Sequence, residues 1–161
     1  MSTRRAKRTL KASSTTVRAT TTDVGHNRIF DTVRSTKGPR GLPATDDALR
    51  AFEPTELFET LFAASVLAQG GAYPVAYAGC ALFALDPPCG LTVNEAVGRL
   101  RSEWDISLEE VVFYLAKQFG TAAVTEAAKQ LQSSSLAHEE AVRLRTGRYW
   151  VDVYQSKASS A

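Results

Sequence analysis

After residue 90 this sequence contains helix-capping motifs that are spaced so closely that only short helices fit between them. Thr92 and Glu95 have the Thr-x-x-Glu spacing of a capping box, and Ser107 and Glu110 repeat it with serine. In such a box the hydroxyl and the carboxylate each accept a hydrogen bond from an otherwise unpaired backbone N–H. Apolar residues then follow at the spacing of a helix with one buried face. The boxes predict helices over 92–103 and 107–119.

Proline, glycine and serine interrupt the rest of the chain and predict further short helices. Pro54 fits a first helical turn and Gly70-Gly71 fits a helix end, which delimits a helix over 55–69. Similar signals predict a short helix that ends at Phe52 and helices over 74–85, 121–132 and 136–145. The predicted fold class is therefore all-α, a small helical bundle. Its predicted core consists of Leu57, Phe58, Leu61, Phe62, Val75, Leu82, Val97, Leu100, Trp104, Val111, Val112, Leu115 and Phe119.

Composition divides the chain into three parts. Residues 1–44 have few apolar side chains, so the area they could bury does not offset the entropy cost of ordering them. They are predicted to form a flexible basic N-terminal arm, disordered or extended. Residues 45–147 form the predicted helical domain. Residues 148–161 are predicted to be an extended strap and tail, because they begin with residue types that favour strands: Tyr149, Trp150, Val151, Val153 and Tyr154.

The stretch from Thr60 to Leu85 contains no charged residue and is long enough to cross a bilayer. Gln69-Gly70-Gly71 and Pro74 interrupt it near its centre, which breaks a single long helix into two. Many of its residues are alanine, which is less apolar than the leucine, isoleucine and phenylalanine that favour insertion into a bilayer. A buried helical hairpin at the centre of the domain is therefore preferred to a membrane span.

Charge is distributed very unevenly along the chain. Residues 1–40 hold ten Lys and Arg against two Asp, a net charge of +8, whereas residues 41–161 hold nine against fifteen Asp and Glu, a net charge of −6. A flexible cationic segment can neutralise phosphates and gain from the release of counterions, without a fold or a sequence code. We therefore expect the arm to bind nucleic acid, RNA in preference to DNA. The expected contacts are Arg4, Arg5, Lys7, Arg8, Lys11 and Arg18.

Two short apolar segments flank the helical domain. Ile29, Phe30 and Val33 form a small apolar group near the end of the arm, and the second group is the aromatic and valine run over 149–154. Exposed apolar segments of this kind often mark a contact with another chain. They are predicted to make assembly contacts in a homo-oligomer or a larger complex. The alternative is that both fold back on their own domain.

Residue patterns typical of catalysis or metal binding are not found in the sequence. His26 and His138 have no Cys, His or carboxylate at metal-ligand spacing, and Cys80 and Cys89 lack a second pair. The acidic pairs 46–47, 109–110 and 139–140 fall near predicted helix starts, where negative charge favours the helix dipole. Helices 92–103 and 107–119 resemble a helix-turn-helix only superficially, because the second begins with two glutamates that would repel phosphate. The chain is predicted to be a non-enzyme without cofactor or metal.

Two functional expectations remain open. The first is a structural subunit of a nucleoprotein, of the coat, nucleocapsid or ribosome-associated type, found inside the cell or in a virion. The second is an accessory subunit imported into an organelle such as the chloroplast, soluble or membrane-associated. Residues 1–19 have the acid-free, Ser-, Thr- and Arg-rich composition of a transit peptide and end in Val17-Arg18-Ala19, a plausible cleavage site. The dense cluster over 4–8 is less typical of such peptides and favours the nucleoprotein.

Overall fold

The computed structural model describes residues 28–29, 31–33, 47–66 and 72–160. Within these ranges the regular secondary structure is helical, which confirms the all-α prediction. Residues 28–29, 31–33 and 47–49 also have helical backbone. The longer helices are α1 (Pro54–Val66), α2 (Ala72–Leu85), α3 (Val93–Glu103), α4 (Glu109–Phe119), α5 (Thr121–Gln132) and α6 (His138–Ser159).

The first predicted capping box forms as the sequence indicates. The Thr92 hydroxyl accepts a hydrogen bond from the Glu95 N–H at 3.3 Å, and the Glu95 carboxylate accepts from the Thr92 N–H at 2.8 Å. The Thr92 hydroxyl also donates to Glu95 Oε2 at 2.7 Å. These hydrogen bonds, first from the Thr92 side chain and then from its backbone, lower the pKa of Glu95.

The helix predicted from the second capping box starts at residue 109 rather than at residue 107. Helix α4 begins at Glu109 with Leu108 in the N-cap position, and Leu108 makes no side-chain cap hydrogen bond. Asp105 forms the preceding turn instead: its carboxylate accepts from the Ser107 N–H at 3.0 Å, and its carbonyl accepts from the Leu108 N–H at 3.1 Å. Leu108 is 3% exposed, so burial of its side chain and the Asp105 turn together set where the helix starts.

A single connected core holds these helices together. Twelve of the thirteen predicted core residues are buried, and Phe119 packs against the core while partly exposed. Helix α2 packs against α1 on one side and α4 on another, and α4 packs in turn against α6. The position of α2 between two helices is consistent with the absence of charged residues from 72 to 85. No helix in the described ranges combines the length and apolar character needed to cross a membrane.

The C-terminal strap predicted over 148–161 does not exist as an extended segment. Helix α6 starts two residues later than the predicted start at 136 and continues without a break to Ser159. Leu144 and Val151, seven residues apart and therefore on one face, are both buried. Tertiary packing along this face outweighs the strand preference of the aromatic and β-branched residues between Tyr149 and Tyr154.

The end of the predicted arm belongs to the core. Ile29 and Val33 are both 0% exposed and join the main apolar cluster. Their four-residue separation places them on one side of a helical turn. The guanidinium of Arg28 lies 5.5 Å from the centre of the Phe52 ring, a cation–π contact that links this turn to the segment before α1. The predicted boundary at residue 44 therefore assigns two core residues to the arm.

Candidate functional site

The six predicted nucleic-acid contacts lie outside the described residues. Arg4, Arg5, Lys7, Arg8, Lys11 and Arg18 all fall within residues 1–27, and Phe30 of the predicted assembly contact is likewise not described. The structure therefore describes the surface of the helical domain and not the predicted nucleic-acid contacts.

The predicted assembly residues separate into buried and exposed groups. Ile29, Val33 and Val151 are at most 1% exposed and pack in their own domain. Val153 and Tyr154 are half-buried, whereas 58% of Tyr149 is exposed. Self-packing within one chain thus accounts for most of this set. Tyr149 is the predicted residue whose ring remains available to another molecule.

Aromatic rings from three helices meet beside the second half of α6. Phe113 of α4 contacts Trp150 at 6.3 Å and Tyr154 at 5.5 Å between ring centres, and Phe83 of α2 contacts Phe113 at 6.0 Å. Tyr149 lies 5.0 Å from Trp150 in an edge-on arrangement. Edge-on and tilted pairs of this kind add to the free energy gained from burial. They fix the rotation of α6 and so determine which of its residues face solvent.

Ile106 contacts Trp150 through its backbone carbonyl. The indole N–H of Trp150 donates to the Ile106 carbonyl at 3.0 Å, and the Ile106 side chain is 40% exposed. In the described part of the chain, Ile106 and Tyr149 are the large apolar residues with the greatest exposure. Exposed apolar area is thus concentrated around one tryptophan.

Cations outnumber acids in α6 after residue 142. Between residues 143 and 159 the helix carries Arg143, Arg145, Arg148 and Lys157 against the single acid Asp152. The Lys157 ammonium lies 5.0 Å from the centre of the Phe113 ring. We use the term α6 face for the set around Tyr149: Arg148, which is half-buried, and the exposed residues Ile106, Arg145, Tyr149, Asp152 and Lys157.

The opposite charge is found at the start of the domain. Between residues 47 and 59 four acids stand against Arg50, which leaves a net charge of −3. Glu53 is exposed and Glu56 is half-exposed. We use the term acidic α1 face for this set: Asp47, Glu53, Glu56 and Glu59. Helix α1 packs mainly against α2, whereas α6 packs against α3, α4 and α5, so the two charged faces belong to helices that are not packed against each other.

A polar cluster holds the loop that follows α2 against α4. Asp86, with a φ of 52°, accepts from Gln118 Nε2 at 2.7 Å and pairs with Lys117 Nζ at 2.9 Å. Gln118 Oε1 in turn accepts from the Cys89 N–H at 3.3 Å. The Tyr114 hydroxyl donates to the Pro87 carbonyl at 2.7 Å. Each of these contacts fastens the loop, so the cluster has a structural role.

The pKa shifts in this cluster follow from burial. Desolvation raises the pKa of the Tyr114 hydroxyl well above its ordinary value, and Cys89 and Asp86 nearby add to the effect. Burial also raises the pKa of the Cys89 thiol, against smaller opposing contributions from hydrogen bonds and Arg99. A raised pKa lowers the thiolate fraction at neutral pH, and the thiolate is the nucleophilic form of cysteine. The environment of Cys89 therefore disfavours nucleophilic reactivity.

Replacing Tyr114 by phenylalanine tests the role of this cluster. The Pro87 residue is buried, so removing the hydroxyl leaves its carbonyl without its 2.7 Å donor. We expect a loss of about 1–3 kcal/mol in the free energy of unfolding, measured by urea denaturation. Tyr149→Phe is the matched control, and its exposed ring predicts a change within about 0.5 kcal/mol. Equal effects of the two substitutions would contradict the structural role.

The described residues contain no group of three or more His, Cys, Asp or Glu side chains that could hold a metal ion. Shallow grooves are present, including one of about 240 Å³ between α1 and α3 and one of about 290 Å³ beside Trp104 and His138. Neither brings together a nucleophile, a base and a hydrogen-bond donor for a reacting oxygen, the combination that acyl transfer requires.

Comparison of the chain with models of protein families, with curated proteins and with solved structures found no match. Functional inference for this chain therefore depends on its own residues: the cationic arm, the two charged faces and the aromatic group between α4 and α6.

Proposed function

We propose that this protein is a non-catalytic structural subunit of a nucleoprotein assembly, in which the N-terminal arm binds nucleic acid and the helical domain makes protein contacts. The observation that carries the proposal is the division of charge, +8 over residues 1–40 and −6 over the rest. Phosphate is attracted to the first part and repelled by the second, so binding is confined to the arm.

The domain geometry supports a scaffold role. Ile29 and Val33 anchor the chain that follows the cationic segment directly in the core. An arm joined at a fixed point to a folded unit brings that unit to the nucleic acid without the domain itself touching phosphate. The interaction is independent of base sequence, because side chains that neutralise phosphates carry no sequence information.

The second candidate is an accessory subunit imported into an organelle. Its supporting observation is the acid-free segment 1–19, which ends in Val17-Arg18-Ala19. The N-terminal sequence of the mature protein distinguishes the two functions. Cleavage near Ala19 would favour import, whereas a mature chain that retains residues 4–8 would favour the nucleoprotein.

Deleting residues 1–24 tests the first function directly. This deletion removes six of the arm's cations and keeps Ile29 and Val33, whereas a cut at residue 44 would also remove part of the core. We expect the shortened protein to lose binding to single-stranded RNA at low salt and to keep its helix content. The measurements are fluorescence anisotropy with an RNA of arbitrary sequence and circular dichroism. Equal binding by both proteins, or binding by neither, would refute the proposed function.

A further inference from the structure

The exposed apolar residues and the cations of the domain occur together on the α6 face. Ile106 is 40% and Tyr149 is 58% exposed, and both contact Trp150, Ile106 through its carbonyl and Tyr149 through its ring. Arg145 is exposed one helical turn before Tyr149, and Lys157 is exposed two turns after it. Tyrosine and arginine are enriched among the residues that contribute most to binding between proteins. The arrangement is typical of a protein contact, with an aromatic centre and charged surroundings.

A second copy of this chain carries a surface with the opposite charge. The acidic α1 face holds Asp47, Glu53, Glu56 and Glu59 with one cation, Arg50. Because α1 and α6 are not packed against each other in one molecule, the two faces of the same copy do not meet. An α6 face placed against another α6 face would bring together two surfaces that each carry more cations than acids. Only a head-to-tail arrangement brings each cationic face against an acidic one.

We propose that the α6 face of one copy docks on the acidic α1 face of the next, so that copies of this chain associate head to tail. This contact is heterologous: the two surfaces differ, and repetition generates a ring or a filament. The inference deepens the proposed role as a subunit of an assembly and rests on it. Tyr149 lies at the centre of the contact, and Arg145 and Lys157 face the glutamates of the neighbouring copy.

The test measures association of the full chain in the absence of nucleic acid, so that failure of this contact is distinguishable from failure of the arm to bind. The α6 variant is Arg145→Glu with Lys157→Glu, and the α1 variant is Glu53→Lys with Glu56→Lys. Light scattering over a concentration series should show the wild-type mass rising with concentration. Each variant alone should need a concentration higher by about tenfold or more to associate, since like charges then oppose one another.

Mixing the two variants provides the decisive result. A 1:1 mixture presents the intact α1 face of one variant to the intact α6 face of the other, so association should return to the wild-type level. Circular dichroism checks that each variant is folded, and recovery in the mixture is an independent check. Arg99→Glu is the control. It reverses one charge on α3, as each substitution in the α6 variant does on α6, and it should leave association at least as strong as in the wild type.

Three outcomes would overturn the proposal. The first is a wild-type chain that is monomeric at every concentration. The second is association of the α6 variant at the wild-type level, whether or not the α1 variant also associates at that level. If only the α1 variant fails to associate, the acidic α1 face binds another cationic segment, the arm, instead of the α6 face. The third is a 1:1 mixture that stays as weakly associated as its components.

Discussion

Replacing Trp104 by alanine is expected to lower the free energy of unfolding by about 3–5 kcal/mol, the largest effect of any single substitution considered for this protein. Trp104 follows the last residue of α3 and is 1% exposed. Its indole N–H donates to the Leu108 carbonyl at 3.2 Å, which joins the end of α3 to the start of α4. Its ring also lies close to Gly147 of α6, where a β-carbon would come within 3.8 Å of the ring.

The size of this effect follows from what the substitution leaves behind. Alanine removes the indole from a packed interior and leaves a cavity that three helices would have to close together. Arg143 Nε donates to the Trp104 carbonyl at 3.3 Å, a contact that does not involve the indole and keeps the backbone of residue 104 tied to α6 after the substitution. Urea denaturation followed by circular dichroism measures the loss.

Tyr149→Ala is the matched control for Trp104→Ala. It removes an aromatic ring from the same region, but 58% of Tyr149 is exposed. Most of its ring contact is with Trp150, so we expect a loss of no more than about 1 kcal/mol. If Trp104→Ala and Tyr149→Ala lower stability equally, the position of Trp104 in the core is wrong.

Replacing Arg4, Arg5, Lys7 and Arg8 by alanine is expected to remove most of the salt dependence of nucleic-acid binding. If about five arm cations contact phosphates, the logarithm of the binding constant falls against the logarithm of salt with a slope of about −3.5 on single strands and −4.5 on duplex. Raising salt from about 50 to 200 mM should then weaken binding by about 100-fold on single strands and 500-fold on duplex. The fourfold variant retains about one contact, so its affinity should change only about threefold over the same range.

The control for the arm variant neutralises cations of the helical domain. Arg50, Arg99 and Lys129 are exposed on separate parts of its surface. Replacing these three by alanine should leave the salt slope at the wild-type value, because we expect the net negative charge of the domain to repel phosphate. A slope that flattens as much in this control as in the arm variant would place the binding surface on the domain. Anisotropy titrations at four or more salt concentrations give the slopes.

Local signals in the sequence were sufficient to predict most helix positions. Thr92 and Glu95 are three residues apart along the chain and cap α3 without help from distant residues. Gly120 ends α4 with a φ of 84°, a conformation that residues with a β-carbon rarely adopt. Both features depend on backbone geometry within a few residues, and such geometry can be predicted from sequence alone.

The predicted helix over 136–145 stops short of the end of α6 at Ser159, because the residue types that follow it favour a strand. The run from Tyr149 to Tyr154 consists largely of residues that favour strands, but Leu144, Val151 and Tyr154 have the seven- and three-residue separations of one helix face. The polar cluster of Tyr114, Pro87 and Gln118 could not be predicted at all. Its contacts join residues 27 to 32 positions apart in sequence, and their pairing depends on how α2, its loop and α4 pack.

Two parts of helix α6 differ in stability: the segment around Leu144 and Val151, and the last turn. This difference determines which part of the helix unfolds first. Leu144 and Val151 are buried, so amide hydrogens near them exchange with solvent only when the bundle unfolds. Every residue from 155 to 160 is exposed, and the contact of Lys157 with the Phe113 ring is one of few ties to the domain. The last turn can therefore unwind while the core stays intact. One continuous helix thus contains both a global and a local unfolding unit.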